Sequence, residues 1–169
     1  MKSVRIAALL IAFGLSVASA FAQPSTQIEL AGALRTSQQF DAAALAAFSE
    51  KDIASFAQTR SGTTGDSRST VRGVRLSALV ERAGLAGNGR DDWKTLVVIA
   101  TATDGYRAVF SWPELANTAV GDGVLVLFER DGKPLDDREG RIALMSTADR
   151  KLGARHVRNL VRIEVRALP

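Results

Sequence analysis

The sequence contains no cysteine and only one histidine, His156. The absence of cysteine excludes disulfide bonds, thiolate–metal sites, iron–sulfur clusters and thiol catalysis. A single histidine also excludes a metal site that is built from several imidazole groups. Aromatic residues make up only 6% of the chain, and the two tryptophans do not form a stacking platform for nucleic-acid bases.

Charge and length exclude further classes of protein. The 22 Lys and Arg residues exceed the 18 Asp and Glu residues by a net charge of +4. This small, dispersed excess does not indicate a nucleic-acid-binding protein. The 46% hydrophobic and 24% charged residues are typical of a globular domain, and 169 residues leave room for one domain rather than two.

The one long apolar run lies at the start of the chain, over residues Ile6–Val17. Lys2 and Arg5 precede it, and small residues up to Ala22 follow it. This order is typical of a secretory signal peptide that is cleaved after Ala22. The run is shorter than the roughly 20 residues that a membrane-spanning helix needs, which disfavours an uncleaved anchor.

We therefore expect a signal peptide over residues 1–22 and a single exported domain over residues 23–169. The two basic residues of the leader are not adjacent, which indicates the general secretory route rather than the twin-arginine route. No second apolar run approaches the length of a membrane span. The expected location is the periplasm, without membrane attachment after cleavage.

Hydrophobic patterns predict several short elements in residues 23–169. Apolar and β-branched stretches predict strands over residues 27–34, 53–59, 95–102, 106–110, 124–128, 142–145 and 161–165. Helical spacing and capping residues predict short helices over residues 42–48, 76–83 and 111–115. The polar segment 61–69 predicts a loop or a hairpin turn, and Asp131-Gly132 predicts a hairpin turn. The expected fold class is α+β, a compact mixed β-sheet or barrel-like domain with short peripheral helices.

The C-terminal region carries the highest density of positive charge. Residues 150–169 contain one acidic residue, Glu164, and six basic residues, which are Arg150, Lys151, Arg155, Arg158, Arg162 and Arg166. Arg155, His156 and Arg158 are candidates for binding a phosphate or another anion, because guanidinium groups make bidentate contacts with oxyanions. The alternative is a solvated basic surface that balances acidic residues elsewhere.

Two other constellations are weaker. A catalytic triad with His156 would need a nucleophilic serine, and the sequence contains no G-x-S-x-G nucleophile elbow to supply one. The acidic segment with Asp136, Asp137 and Glu139 lacks the spacing of a calcium-binding loop. We therefore expect it to be a solvated loop. In the last predicted strand, Val161, Ile163 and Val165 alternate with charged residues, so we expect these three side chains to be buried.

The terminal stretch Gly153–Leu160, GARHVRNL, resembles the G-A-R-H-V-K-W-L stretch of sulfite oxidases. Three further segments resemble the oxidoreductase molybdopterin-binding domain of that superfamily, in the same order along the chain. They are Gly73-Val74-Arg75-Leu76 with Ala83-Gly84, Asp104-Gly105-Tyr106, and Leu125–Gly132 with Lys133-Pro134-Leu135. The resemblance covers roughly residues 53–166.

The resemblance implies a sulfite-oxidase-like mixed β fold with short helices. In catalytic members a cysteine and the dithiolene of the pterin hold molybdenum, and basic residues of the terminal motif bind the pterin pyrophosphate. Carried over to this sequence, the cofactor-binding positions are Asp104, His156, Val157 and Arg158.

Three features depart from the family pattern. Thr59 occupies the expected cysteine position, and a hydroxyl group is a poor replacement for a soft thiolate ligand. Ala143 replaces an arginine that precedes the terminal motif, and Arg141 is the nearest residue that would compensate for it. The leader indicates export in the unfolded state, whereas enzymes of this kind normally bind their cofactor before export.

We therefore expect a periplasmic binding or accessory module that has lost molybdenum catalysis, with no catalytic residues, no metal ligands and no bound cofactor. Its pocket, formed by Asp104, Arg141, Arg155, His156 and Arg158, would accept a small anion, a pterin-like ligand or an acidic loop of a protein partner. One alternative is an active molybdopterin-dependent oxidoreductase without a cysteine ligand. Another is an interaction domain without a small ligand.

Overall fold

The computed structural model describes residues 24–62, 65–87 and 92–169. The strands are β1 (Gln27–Gly32), β2 (Gln38–Asp41), β3 (Ile53–Gly62), β4 (Gly65–Arg75), β5 (Leu96–Ala102), β6 (Arg107–Ser111), β7 (Val124–Arg130), β8 (Lys133–Pro134), β9 (Ala143–Ser146) and β10 (Leu160–Ala167). The helices are α1 (Ala42–Ala46), α2 (Leu76–Ala83), α3 (Trp112–Asn117) and α4 (Ala119–Asp122), and a 3-10 turn spans Asp92–Thr95. The predicted signal peptide, residues 1–22, lies outside the described residues.

The strands form two sheets. The first sheet has the order β2-β1-β10-β5-β6, in which β1 and β10 are parallel and the other pairs are antiparallel. The second sheet has the order β3-β4-β7, and both β8 and β9 pair with the remaining edge of β7. Neither sheet closes into a barrel within the described ranges. The α+β class is thus confirmed, and the barrel-like part of the prediction is wrong.

The main hydrophobic core lies between the two sheets, and β7 contributes Val126 and Phe128 to it. The opposite face of β7 contributes Leu125 and Leu127 to a second, smaller cluster that Leu135 covers. A strand that is buried on both faces has a continuous apolar sequence rather than an alternating one. This explains why residues 124–128 are uniformly apolar. The contact of Leu135 with the second cluster also places the segment after β8 against the second sheet.

The predicted helix boundaries follow from local capping. The Asp41 side chain accepts a hydrogen bond from the Ala44 backbone N–H at 2.7 Å, and Ser111 Oγ accepts one from the Glu114 N–H at 3.1 Å. These bonds satisfy N–H groups that have no partner inside the helix. Gly84 follows α2 with a positive φ of 71°, as expected for a residue just after a helix. No helix in the described part of the chain is long and apolar enough to cross a membrane.

Several local predictions were incomplete. The hairpin of β3 and β4 continues through most of segment 61–69, because backbone pairing runs from Ile53↔Val74 to Gly62↔Gly65. The sequence pattern predicted no strand at β4, which is 11 residues long, and it also missed β2, β8 and α4, which are only two to four residues long. A register shift between Leu160 and Arg162 in β10 leaves Val161 half-buried rather than buried.

The close approach of β4 and β7 predicts a strong effect for the substitution Gly73→Ala. A Cβ atom at Gly73 would lie 2.6 Å from the Val126 carbonyl oxygen, which belongs to the neighbouring backbone. We expect Gly73→Ala to lower the free energy of unfolding by about 3 kcal/mol, as overpacking of a rigid neighbour does. Chemical denaturation measures this difference.

Gly153→Ala is the matched control for Gly73→Ala. A Cβ atom at Gly153 would meet no heavy atom within 4 Å. We expect its free energy of unfolding to stay within about 0.5 kcal/mol of the wild-type value. Equal effects of the two substitutions would contradict the close strand approach at Gly73.

Candidate functional site

A buried carboxylate, that of Glu139, connects three parts of the chain. Glu139 Oε1 accepts hydrogen bonds from Arg130 Nη2 at 2.6 Å and from His156 Nε2 at 2.9 Å. Glu139 Oε2 accepts a further hydrogen bond from Arg130 Nε at 3.0 Å. The carboxylate therefore ties the end of β7 and the segment before β9 to the terminal motif.

The segment before β9 turns Glu139 inward through local hydrogen bonds. The Asp136 Oδ1 atom accepts from the backbone N–H groups of Arg138 at 3.1 Å and of Glu139 at 2.9 Å. An aspartate that binds the backbone two and three residues further on stabilises a tight turn. The backbone then continues through Gly140, whose φ is 81°, and Glu139 is left 8% exposed.

The environment of Glu139 keeps its carboxylate ionised. Burial alone raises its pKa, but hydrogen bonds from His156 and Arg130, together with their charge, lower the pKa overall to about 2. An ionised carboxylate only accepts hydrogen bonds, so His156 must carry a proton on Nε2. The His156 side chain is 8% exposed, so Glu139 holds an imidazole that is largely enclosed by the protein.

Three adjoining cavities meet at His156 and Arg158, and together they form what we call the Arg158 cleft. The first, of about 390 Å³, is lined by Ser67, Ser69, Arg130, Asp136, Arg138, Glu139, His156 and Arg158. The second, of about 410 Å³, is lined by Ala102, Asp104, Tyr106, Arg138, Gly153, His156, Arg158 and Asn159. The third, of about 340 Å³, is lined by Gln58, Thr59, Met145, Leu152, Gly153, His156 and Arg158.

The wall that β3 and β4 contribute to the cleft is tied to the Glu139 cluster. Ser69 Oγ accepts hydrogen bonds from Gln58 Nε2 and from Arg130 Nη1, both at 3.1 Å. Arg130 therefore contacts Ser69 on one side and Glu139 on the other. These bonds fix one wall of the first cavity against the terminal motif.

The cleft contains two exposed guanidinium groups, those of Arg138 and Arg158. Within the described ranges, no carboxylate forms an ion pair with either side chain. The carboxylates of Asp136 and Asp104 lie in the first and second cavities respectively. The shared part of the cleft is therefore positive, and each of these two cavities has an acidic group.

The structure brings together three of the six residues that the sequence predicted for the site. Asp104, His156 and Arg158 all line the second cavity. Asp104 also accepts a hydrogen bond from the Tyr106 N–H at 2.9 Å, and the Tyr106 hydroxyl donates to the Ala154 carbonyl at 2.7 Å. These two bonds connect the turn between β5 and β6 to the terminal motif.

Arg155 does not line the cleft. Its guanidinium group makes a two-fold contact with the Asp149 carboxylate, bonds Glu114 at 3.1 Å and lies 4.6 Å from the centroid of the Phe110 ring. The hydrogen bond with Asp149 raises the pKa of Arg155, and the same bond lowers the pKa of Asp149. Arg155 thus connects the loop before β10 to α3.

Arg141 and Val157 do not line any of the three cavities either. The Arg141 side chain pairs with Asp137 at 2.7 Å and donates to the Leu135 carbonyl at 3.1 Å. Val157 is fully buried, and its backbone pairs with that of Leu144. The position at which the resemblance places an arginine, Ala143, is buried in the second hydrophobic cluster.

Thr59, which occupies the expected cysteine position, lines the third cavity together with His156 and Arg158. Its neighbour Gln58 is buried and binds Ser69. No group of three or more His, Cys, Asp or Glu side chains suited to a metal ion occurs in the described ranges.

Sequence reasoning missed Ser67, Ser69, Arg130 and Arg138, and it placed Glu139 in a solvated loop. Ser67 and Ser69 follow the two-residue period of a strand, but the polar sequence around them had predicted a loop. The Asp136-x-x-Glu139 spacing was a usable signal, because an aspartate often caps the N–H three residues further on. Nothing in the sequence pattern indicated that Arg130 and His156 would pair with Glu139.

No family model matches the sequence, and no curated protein matches it. Among solved structures, the chain is similar to the sulfane dehydrogenase SoxCD from Paracoccus pantotrophus, with a TM-score of 0.61 and 14% identity. The match covers 83% of this chain and 38% of that chain, so this chain spans less than half the length of its neighbour. At this identity the likeness shows the fold alone. It supports a distant fold relationship to that protein, and the family resemblance of the terminal motif stays a prediction.

The low pKa of Glu139 predicts a pH-dependent contribution to stability. A carboxyl group whose pKa falls from 4.5 to about 2 on folding stabilises the folded state fully above pH 4.5. This contribution is lost as the pH falls through about 2. We expect Glu139→Gln to lower the free energy of unfolding by about 3 kcal/mol at neutral pH. Urea denaturation at a series of pH values should show this difference shrinking in acid.

Asp137→Asn is the control for Glu139→Gln, because Asp137 is an exposed partner in an ion pair with Arg141. Such surface pairs contribute about 0.2–1 kcal/mol. A difference between Glu139→Gln and wild type that stays constant down to about pH 2 would contradict the role of an ionised Glu139.

The contacts of Arg155 predict a structural rather than a binding role. Lysine cannot reproduce the two-fold contact with Asp149 while it also contacts Glu114. We expect Arg155→Lys to lower the free energy of unfolding by about 2 kcal/mol and to leave anion affinity unchanged. Chemical denaturation and phosphate titration of the same sample separate the two effects. A loss of affinity without a loss of stability would return Arg155 to the binding site.

Proposed function

We propose that this chain is an exported binding or accessory module of the periplasm that takes a small anion in the Arg158 cleft. In this proposal the sulfite-oxidase-like fold no longer supports molybdenum catalysis. The observation that carries the proposal is the pair of guanidinium groups, Arg138 and Arg158, which line the same cavities and have no ion-pair partner among the described residues.

The neighbouring charges favour a compact anion over a long one. Arg130 is already engaged with Glu139, and Arg155 with Asp149. Arg138 and Arg158 are therefore the groups that remain to neutralise a ligand. Asp136 in the first cavity and Asp104 in the second would repel an extended polyanion. An oxyanion of phosphate or sulfate size avoids both carboxylates and uses the planar donors of both guanidinium groups.

His156 completes the proposed anion site. Its ring is largely buried, and Glu139 fixes it through Nε2. His156 lines all three cavities of the cleft, so an anion bound beside Arg158 would also lie beside the imidazole ring.

The residues present do not fit the metal half of a molybdopterin centre. The sequence has no cysteine, and the residue at the expected ligand position, Thr59, offers a hydroxyl group. Hydroxyl oxygen is a poor replacement for the soft thiolate that the family uses. We derive no reaction step through molybdenum, and the proposed activity is binding alone.

Analysis of the protein from its native compartment tests the proposal. The full-length gene product is purified after export, and its molybdenum and oxidised-pterin contents are measured by elemental mass spectrometry and fluorescence. The proposal expects neither component. Near-stoichiometric molybdenum with pterin would overturn it in favour of an active oxidoreductase, and pterin without metal would identify the anion as a pterin phosphate.

Charge reversal at the cleft gives the sharpest prediction for anion binding. Thermal unfolding is followed in inorganic phosphate and, separately, in sulfate at constant ionic strength. An anion at 100 times its Kd should stabilise the wild type by about 2.7 kcal/mol. We expect Arg158→Glu to abolish this stabilisation, because a carboxylate then faces the anion.

Lys51→Glu is the matched control for Arg158→Glu, because it changes the net charge equally at an exposed position that lines a separate cavity. We expect Lys51→Glu to keep the anion response. Equal responses of Arg158→Glu and wild type would remove the cleft as the binding site. A wild type that responds to neither anion would favour an interaction domain without a small ligand.

A further inference from the structure

We infer that Ser25 is a positioning residue for the Arg158 cleft. Ser25 precedes β1 and contacts the segments that carry Glu139 and Arg158, although it lies more than 100 residues from both in the sequence. It lines none of the three cavities. Its effect on the site therefore acts through the backbone of the residues beside the cleft and through Asn159.

Ser25 is unusually buried for a polar residue. It is 4% exposed, and the buried polar side chains of the described ranges are those of Ser25, Gln58, Glu139 and Ser146. Its hydroxyl group donates a hydrogen bond to the Ile142 carbonyl oxygen at 3.1 Å. A buried hydroxyl with this bond holds the N-terminal segment against the start of β9, because leaving the bond unmade costs stability.

The backbone of Ser25 bridges the two segments that form the cleft. Its carbonyl oxygen accepts a hydrogen bond from the Arg141 N–H at 3.0 Å, and its N–H donates to Asn159 Oδ1 at 3.4 Å. The Asn159 N–H in turn donates to the Glu139 carbonyl at 2.7 Å. Ser25, Glu139, Arg141 and Asn159 thus form one closed set of contacts next to Arg158.

The junction has little space for adjustment. A Cβ atom at Gly140 would lie 2.6 Å from Asn159 Oδ1 and 2.8 Å from Ser25 Oγ. Gly140 and Asn159 both have positive φ values, 81° and 48°, a backbone conformation that residues other than glycine seldom adopt. A shift of Ser25 must therefore move Gly140 or Asn159, and with them the neighbouring Glu139 and Arg158.

The test compares Ser25→Ala with Thr26→Ala in protein purified after export of the full-length gene product. Thr26 is the exposed neighbour in the same segment, and it has no side-chain hydrogen bond within the described ranges. His156 is the only histidine of the chain, so its ring ¹⁵N signals need no assignment. We expect Ser25→Ala to shift these signals and to weaken phosphate binding about five-fold, as the loss of one hydrogen bond allows. Thr26→Ala should leave both unchanged.

A purely structural role predicts a different result: Ser25→Ala lowers the free energy of unfolding, but the folded protein keeps wild-type His156 signals and wild-type phosphate affinity. That result would overturn the inference.

Amide hydrogen exchange on the wild type provides a second measurement if Ser25→Ala does not fold. The Arg141 and Ser25 N–H groups should exchange with similar protection, because both lose their partners, the Ser25 carbonyl and Asn159 Oδ1, when Ser25 leaves the junction. Free exchange of the Arg141 N–H beside a protected Ser25 N–H would overturn the inference. The phosphate affinity rests on the proposed function, whereas the His156 signals and amide exchange do not. A wild type that binds no phosphate therefore rejects the function and leaves the positioning role to these two readouts.

Discussion

The Glu139 carboxylate is the contact on which the arrangement of the cleft depends. It is buried, it stays ionised, and it binds Arg130 at the end of β7 and His156 in the terminal motif. A charge of this kind is costly to bury without partners. Arg130 and His156 therefore fix the position of the carboxylate, and the carboxylate in turn fixes theirs. Arg138 and Arg158 lie on the flanks of this cluster, and their positions follow from it.

The fold was more accessible to sequence reasoning than the site. Strands such as β5 and β7 are short, apolar and rich in β-branched residues, so their burial dictates their pattern. The capping residues Asp41, Ser111 and Gly84 marked helix boundaries for local physical reasons. The β3–β4 hairpin was the clearest failure, since its polar residues are paired through the backbone, which the side-chain pattern does not report.

The site residues show the same difference between what a local sequence pattern reports and what tertiary contacts decide. His156 and Arg158 lie in a recognisable motif, and both line the cleft. Arg155 immediately precedes them in the same motif and is also basic, but it is engaged with Asp149 and Glu114. Sequence adjacency cannot distinguish an arginine that binds a ligand from one that binds its own protein. That distinction depends on carboxylates supplied by distant segments, whose approach is a property of the tertiary fold.

The pairing of β1 with β10 has a consequence for how the chain folds. These two strands are parallel neighbours, although more than 120 residues separate Leu30 from its partner Ile163. The centre of the first sheet is therefore incomplete until the last segment of the chain is available. Contacts between such distant segments slow folding, because the intervening chain must lose its freedom first. A growing chain therefore lacks the strand with which both β1 and β5 pair until residues 160–167 have been made, whereas the second sheet contains no segment from this end of the chain.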